Sequence, residues 1–267
     1  MAKKLICIAL VCCMACSLGA CGTSTYGVKT EKVLVEQDYS LAFRNNDPII
    51  YYVVAAIKVL AAEGKVDELS TKWFGSRAVQ FESDSSALDD LAVPPNRTFT
   101  IGVDINSLPL VYISNDTYWG FDIELAIAVA DKLGWVLREQ TIEKENVYNE
   151  LASGNIDCAW GGIALDPKEV EEEQYAVYGP YIHNDIIVAT RATSNINSKL
   201  KLSDKKMCMS STAEAKEALN IDPSIPKRLG QITRLAGGTA ECFENLYAGK
   251  CDVVLTDSTA LYYFNCH

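Results

Sequence analysis

The sequence predicts an α/β protein of two lobes, and three observations support this prediction. Segments with the β-branched and apolar character of strands are followed by segments with the apolar period of helices. The alternation begins near residue 98 and begins again after Ser194, so the chain holds two α/β units. Its 267 residues remain sufficient for two hydrophobic cores after removal of a 20-residue export signal.

The individual elements follow from periodicity and from turn residues. Residues 48–62 are an apolar run interrupted by Lys58, which is typical of a buried helix and too short for a membrane span. In "GFDIELAIAVADKLGW", residues 120–135, the apolar side chains lie largely on one helical face and Gly134 ends the helix. The same signals predict strands at residues 98–104, 156–160, 185–191, 206–209 and 251–257, and helices at 147–152, near 168–173, from 212 and at 242–247.

The first 21 residues resemble a bacterial lipoprotein signal. Lys3 and Lys4 precede an apolar stretch at 5–18, and the run Leu-Gly-Ala-Cys that ends at Cys21 resembles a lipobox. We therefore expect a signal peptide at 1–20, lipidation of Cys21 and a location on the outer face of the bacterial cell membrane. The alternative is an ordinary signal peptide or an uncleaved anchor, which also places the folded part outside the cytoplasm.

Composition and cysteine spacing argue against several functions. The net charge of −11 and a pI near 4.7 are opposite to the basic surface that nucleic acid requires. No C-x-x-C pair follows the signal and histidines stand only at 183 and 267, so we expect neither a metal site nor a cofactor. A bridge between Cys208 and Cys251 is one alternative, and buried thiols are the one we favour. The cysteines after the signal are Cys158, Cys208, Cys242, Cys251 and Cys266.

Several segments together resemble the extracellular solute-binding proteins of amino-acid ABC importers. The resemblance implies a two-lobed, periplasmic-binding-protein-like (type II) fold, in which crossing strands join the lobes and the ligand lies in the cleft between them. It extends over nearly all of the chain after the signal. The segments are "IGVDINSLPLVY" (101–112), "GFDIELAIAVADKLG" (120–134), "LASGNIDCAWGGIALDPKE" (151–169), "YGPYIHNDIIVATR" (178–191), "STAEAKEAL" (211–219) and "AGKCDVVLTDSTALYY" (248–263).

The order of these segments predicts a circular permutation. Residues 39–75, from "YSLAF" to "TKWFG", resemble the end of a usual family member but stand near the start of this chain. Residues 76–97, rich in serine and acids and containing Pro94-Pro95, then form the linker between the old ends. Lobe 1 is expected at 39–189 and lobe 2 at 24–38 plus 190–267, with an edge strand at 32–36 and with the lipid attached to lobe 2. The alternative is an excerpt from two tandem binding domains.

The resemblance also implies a set of ligand contacts. Asp257 matches the family aspartate that pairs with a ligand ammonium, and Asp104 matches an acidic position that meets basic side chains in some members. Both carboxylates could instead cap loops at strand ends. Trp160 is the aromatic platform we favour, with a core position as the alternative. The expected contacts are Asp104, Ser107, Trp160, Gly161, Gly162, Ser211, Thr212 and Asp257, where Ser211 and Thr212 either face the ligand or cap a helix.

The sequence departs from the family pattern where a ligand carboxylate would bind. Lys168-Glu169 stands where the family has an arginine that grips the carboxylate, and Ala164 lacks a hydroxyl found there. Ser107 and Lys144 replace the two stacking aromatics. A cleft with acids and no arginine suits an amine or cationic group better than a free carboxylate.

We therefore expect a non-enzymatic, monomeric binding protein that captures an amino acid or an amine-bearing solute by closure of two lobes. Its expected partners are this small molecule, an ABC permease and the membrane that holds its lipid. One alternative is a sensor or scaffold with a degenerate pocket. Another is a fold-sharing dehydratase of prephenate or arogenate that uses Glu169 or Glu173 as an acid, although no paired acid and base at telling spacing supports it.

Overall fold

The computed structural model describes residues 27–165, 168, 170, 172, 174–197 and 201–267. The expected signal at 1–20, Cys21, Glu169 and Glu173 lie outside the described residues. Strands β1 to β10 comprise Val28–Phe43, Thr98–Val103, Tyr112–Ser114, Thr117–Trp119, Val136–Thr141, Cys158–Ala159, Ala176–Arg191, Lys206–Ser210, Gln231–Leu235 and Val253–Asp257. Helices α1 to α8 comprise Ile49–Ala62, Lys65–Phe74, Phe121–Leu133, Val147–Ser153, Ala213–Ile221, Ser224–Arg228, Gly238–Tyr247 and Ser258–Cys266.

One curled sheet of the order β5-β2-β6-β1-β7-β10-β8-β9 passes through both halves of the protein. The two 16-residue strands β1 and β7 pair antiparallel along nearly their whole length and join the halves. We call the half with β5, β2 and β6 lobe 1, and the half with β10, β8 and β9 lobe 2. The predicted two-lobed α/β fold with crossing strands is confirmed.

Each lobe has its own hydrophobic core because each part of the sheet buries both faces. In lobe 1 the helices α1, α2 and α3 cover one face, and α4 covers the other. In lobe 2 the helices α5 and α7 pack on opposite faces. Ile186 and Val188 of β7 belong to the core of lobe 2. The crossing point therefore lies near residue 184, a few residues before the expected boundary at residue 189.

Most predicted elements are found close to their expected positions. The apolar run at 48–62 forms α1, and Gly64, with φ of +79°, makes the turn into α2 that an L side chain would strain. The strands expected at 32–36 and 185–191 are parts of the longer β1 and β7. In lobe 2 the first part of β1 has β7 as its single partner among the described strands. It therefore forms the edge of the sheet there, as expected. Of the helix expected near 168–173, positions 168 and 170 are helical.

Residues 76–97, the expected linker, contain turns and neither a helix nor a strand. The segment lies along lobe 1 and is fastened to it at several points. Val79 is buried in the core, and Phe81 stacks between Tyr178 and Tyr181 of β7. Lys58 of α1 forms an ion pair with Glu82. The segment is thus a packed connection.

The start of β1 lies beside the last turn of α8. The side chain of Asn265 accepts a hydrogen bond from the Val28 amide at 2.8 Å and donates one to the Val28 carbonyl at 2.9 Å. The two bonds occupy both polar groups of one backbone residue. They hold the beginning of the crossing strand against a helix that lies 237 residues further along the chain.

The described cysteines are thiols, as the favoured alternative predicted, and Cys208 and Cys251 form no disulfide. Four of them are buried, and burial raises the pKa of Cys242 to about 12. Cys266 differs, because it is exposed rather than a core residue. Among the helices that the structure describes, none is both long and apolar enough to cross a membrane.

Candidate functional site

A polar cleft lies between the two lobes, at the carboxyl ends of their parallel strands. Lobe 1 contributes the loops that follow β2 and β6, and lobe 2 contributes the end of β10 and the first turn of α5. Such strand ends are the usual ligand sites of α/β sheets. The cavity volume is about 30 Å³, which has room for only a few water molecules. The lobes must therefore separate before a solute enters.

Asp257 ends β10 and lines the cleft. Its Oδ1 accepts a hydrogen bond of 2.7 Å from the amide group of Asn184, a fully buried residue at the crossing point of β7. The pKa of Asp257 is raised to about 6, mainly by burial and also by the carboxylates of Glu214 and Asp104, while the Asn184 bond opposes the rise. Asp257 is thus half-buried and faces other acids.

Asn184 connects this carboxylate to both crossing strands. Its amide nitrogen also donates to the Tyr39 hydroxyl at 3.0 Å, and Tyr39 lies on β1 and lines the cleft. Its carbonyl oxygen accepts from the backbone and the hydroxyl of Thr259, in the first turn of α8. One buried side chain therefore links the two strands that join the lobes with the site.

Asp104 lines the cleft from the loop after β2. Its Oδ1 accepts a hydrogen bond of 2.8 Å from the backbone of Asn106, so the carboxylate caps its own loop as well as facing the cleft. Burial raises the pKa of Asp104, and the carboxylates of Glu143 and Glu145 add to the rise. Asp104 thus caps its loop and lines the cleft, and its contact with a ligand stays a prediction.

Ser107 and Gly162 meet across the lobe 1 wall of the cleft. Gly162 has φ of +65°, and a Cβ there would lie 1.8 Å from Ser107 Oγ, so the contact requires glycine. The Gly162 amide donates to Asp122 at 3.1 Å, and the Ser107 hydroxyl donates to the Asp104 carbonyl at 2.6 Å. Both donors that could have received a ligand carboxylate therefore already have protein acceptors.

Glu214 brings a third carboxylate to the cleft from the first turn of α5. Burial raises its pKa, and the nearby Lys144 of lobe 1 lowers it. The Lys144 ammonium lies 3.5 Å from Glu214 Oε1, across the gap between the lobes. Thr212 precedes the helix, and its hydroxyl accepts from the Ala215 amide while the residue lines the cleft.

The three carboxylates and the Tyr39 hydroxyl form one acidic site from two lobes. Burial raises the pKa of Tyr39 well above its usual value, and Asp257, Glu214 and Asp104 raise it further in that order. None of the described residues that line the cleft is a lysine, arginine or histidine. The site therefore repels anions, and a cation would relieve the repulsion among its acids.

Other predicted residues lie away from the cleft. Trp160 is fully buried in the core of lobe 1, so it cannot form a platform for a ligand. Gly161 accepts a hydrogen bond from the Asp104 amide and does not line the cleft, and Ser211 is exposed outside it. Lys168 is also exposed and outside it, so no basic side chain replaces the family arginine there.

Asp122 supports the site from behind. It is fully buried at the start of α3, and its carboxylate accepts hydrogen bonds from Gly162 and from the Tyr181 hydroxyl, both oxygens lying 2.9 Å from the latter. Burial raises the pKa of Asp122 to about 7, and these hydrogen bonds oppose the rise. The position of the Gly162 loop thus depends on one buried acid.

Sequence reasoning missed Tyr39, Asn184 and Glu214. Glu214 carries a recognisable signal, because it lies in the first turn of a helix that starts directly after a strand. Tyr39 and Asn184 carry none, since their roles depend on the pairing of β1 with β7 over 145 residues. Among the described residues, no cluster of three metal-ligating side chains is present.

The sequence profile of the bacterial extracellular solute-binding proteins, family 3, matches residues 99–234, which is half of the chain. A membrane-bound lytic murein transglycosylase F of Haemophilus influenzae is 31% identical over 159 residues, covering 58% of this chain and 32% of that protein. The arginine-binding extracellular protein ArtP of Bacillus subtilis is 29% identical over 92 residues, covering 34% and 35%. The chain spans about a third of the length of these two curated relatives.

One solved structure aligns with part of this chain. A substrate-binding protein of a polar amino acid ABC uptake transporter from Streptococcus thermophilus aligns with a TM-score of 0.45 at 25% identity. The alignment covers 60% of this chain and 61% of that one.

Proposed function

Because the chain belongs to the bacterial extracellular solute-binding proteins, family 3, we propose that it captures a small amine-bearing or cationic solute between its lobes. Closure of the lobes over the solute would then be recognised by an ABC permease, and no covalent chemistry would be required. The proposal places the protein outside the cytoplasm, held to the membrane by lipid on Cys21.

The acidic cleft is the observation that carries this proposal. Asp104, Glu214 and Asp257 come from both lobes, and burial raises the pKa of each. Bringing three such groups together costs free energy unless a positive charge balances them. A cationic head group would supply that charge and would join the lobes, because Asp104 belongs to lobe 1 and the other two belong to lobe 2.

The described part of the cleft also lacks free donors for a ligand carboxylate, and this too favours a cationic solute. Gly162 and Ser107 already donate to protein acceptors, and no basic residue lines the described part of the cleft. An arginine-binding protein among the relatives is consistent with a cationic side chain as ligand. An acidic solute such as glutamate is the least suited to this site.

We also propose that the chain is a circular permutation of the usual family order. In the usual order α8 would run directly into β1, and this connection requires their ends to be neighbours. The two hydrogen bonds between Asn265 and Val28 satisfy this requirement. The packed segment at 76–97 would provide the new connection, and the lipid would attach to lobe 2, since β1 begins there.

Thermal unfolding with candidate solutes tests the proposed function. Ethylamine and arginine should each raise the melting temperature at pH 7.5, because a ligand that binds only the native state stabilises it. Glutamate should not. Asp257→Asn should abolish the increase, while Asp116→Asn, which changes an exposed acid on the β3–β4 turn, should preserve it.

Two other results would overturn the proposal. If no solute shifts a cooperative transition, a sensor or scaffold with a degenerate pocket replaces the transport function. If the protein converts prephenate, the dehydratase alternative replaces it. The permutation is tested separately with a gene that places residues 28–75 after His267. That protein should fold and retain ethylamine binding, whereas an excerpt of tandem domains should lose both.

A further inference from the structure

A second cavity adjoins the acidic cleft, and we call it the apolar annex. It has a volume of about 420 Å³ and lies between the loop after β2 in lobe 1 and the start of α7 in lobe 2. Its main side chains are Leu108, Tyr112, Ile113, Ala240, Tyr263 and Phe264. A volume of this size accommodates an aromatic ring or a short alkyl chain.

The annex and the acidic cleft are adjacent cavities. Asn106 of lobe 1 and Thr239 of lobe 2 line both cavities, one from each side of the gap. A molecule of sufficient length can therefore place one end among the three carboxylates and the other end in the annex.

One part of the annex wall consists of aromatic rings that pack against a neighbouring tryptophan, and another part is formed by glycines. The Tyr263 ring stacks on Trp73 with centroids 5.9 Å apart, and Tyr112 packs edge-on against the same tryptophan at 6.3 Å. Opposite them, Gly238 has open space within 4 Å of the position of a Cβ. The rings thus offer an ordered apolar surface, and the glycine leaves room in front of it.

The described linings of both cavities lack a basic side chain, and the Lys144 ammonium beside the cleft is already paired with Glu214. No lysine, arginine or histidine is among the described residues lining the annex, and the same holds for the acidic cleft. The cleft itself encloses about 30 Å³, which suits a compact ammonium group more than a complete amino acid backbone. A carboxylate on the ligand would lie either beside the acids or in apolar surroundings, and both are unfavourable.

We propose that the solute is a primary amine with an aromatic or alkyl extension and without a carboxylate, bound with its ammonium group among Asp104, Glu214 and Asp257 and its apolar part in the annex. This inference rests on the proposed function and names its substrate class. An arylalkylamine combines the compact cation with an apolar group of suitable size.

Calorimetric titration of the purified chain with ethylamine, phenethylamine and phenylalanine tests the inference. These probes share the amine but differ in the ring and in the carboxylate. Phenethylamine should bind at least about tenfold more tightly than ethylamine, since burial of a ring corresponds to burial of several CH₂ groups. Phenylalanine should bind at least about tenfold more weakly than phenethylamine, because its carboxylate lacks a partner.

Ala240→Phe provides a second measurement, because it fills the annex from α7. It should weaken phenethylamine binding at least about tenfold and leave ethylamine binding unchanged. Ala248→Phe, at the exposed end of the same helix, is the matched control and should change neither. The melting temperature of each variant confirms that it is folded.

The outcomes separate this inference from the proposed function. Equal binding of ethylamine and phenethylamine, or equal weakening of both by Ala240→Phe, would overturn the annex inference and leave amine capture standing. Tighter binding of phenylalanine than of phenethylamine would overturn the assignment of an amine without a carboxylate. If none of the three probes binds, both the inference and the proposed function fail.

Discussion

The Lys144 ammonium of lobe 1 lies 3.5 Å from the Glu214 carboxylate of lobe 2, and this ion pair bridges the mouth of the acidic cleft. Each side chain is a little over one third exposed, at 36% and 39%. The pair therefore contributes only modestly to the free energy of unfolding. Because its two members belong to different lobes, it favours the closed arrangement of the lobes. Glu214 has two competing partners, the lysine and an incoming cation.

Lys144→Gln should shift the unliganded protein towards the open arrangement. An exposed ion pair contributes about 0.2–1 kcal/mol, which corresponds to a change of up to about fivefold in the ratio of closed to open forms. Small-angle X-ray scattering should show a larger radius of gyration. Lys65→Gln removes the Glu68 pair within α2 and should leave the radius unchanged. Equal effects of the two variants would contradict a role in closure.

Amine binding should weaken as pH falls below neutrality. The pKa of Asp257 is raised to about 6, and those of Glu214 and Asp104 are also raised. Asp257 therefore takes up a proton as the pH falls through about 6 and loses the charge that holds the cation. Below pH 6 the affinity for ethylamine should fall by up to about tenfold per pH unit through the protonation of Asp257. Calorimetric titrations at pH 5, 6 and 7.5 measure this, and a constant affinity would exclude Asp257 as a contact.

Asn184→Ala should destabilise the protein more than any loss of surface contact would. The change leaves the Tyr39 hydroxyl and Asp257 without their shared donor and leaves Thr259 without its acceptor, all near a buried position. Unsatisfied buried groups of this kind cost on the order of 3 kcal/mol together. Urea unfolding measures the loss. Asn149→Ala, on the exposed face of α4, should change the free energy of unfolding by less than about 0.5 kcal/mol.

Asp122→Asn should flatten the dependence of stability on pH. The pKa of Asp122 in the folded protein is about 7, whereas an unfolded aspartate has a pKa of about 3.9. The native state thus binds more protons between these values, so the stability contribution is present at low pH and is lost as pH rises through 7. The free energy of unfolding should fall by on the order of 2 to 3 kcal/mol from pH 5 to pH 8.

The control for this measurement is Asp116→Asn, at an exposed turn. It should retain the slope of the unmodified protein across the same pH range. A slope that persists in Asp122→Asn would assign the titration to another buried acid.

Local patterns in the sequence predicted the fold well, because each lobe is built from short strands and amphipathic helices. The helix at 120–135 and the strand at 251–257 were predicted to within a few residues of α3 and β10. The length of β1 and β7 was not predicted. Their pairing depends on register between distant segments, and a sequence pattern carries no information about that register.

The candidate site was predicted in part. Asp104, Ser107, Gly162, Thr212 and Asp257 all line the acidic cleft, and their contacts with a ligand stay a prediction. Trp160 does not line the cleft. It follows the buried strand β6, and its large aromatic side chain packs in the core of lobe 1. Its position beside two glycines was not sufficient evidence for a ligand contact.

The bonds between Asn265 and Val28 also affect when this protein can reach its native state during synthesis. The helix residue that fastens the beginning of the first crossing strand is translated 237 residues after that beginning. Contacts of such sequence separation slow folding, since a large loop must close before they form. Lobe 2 therefore cannot complete its fold before both segments are available, and its edge strand is exposed to aggregation until then.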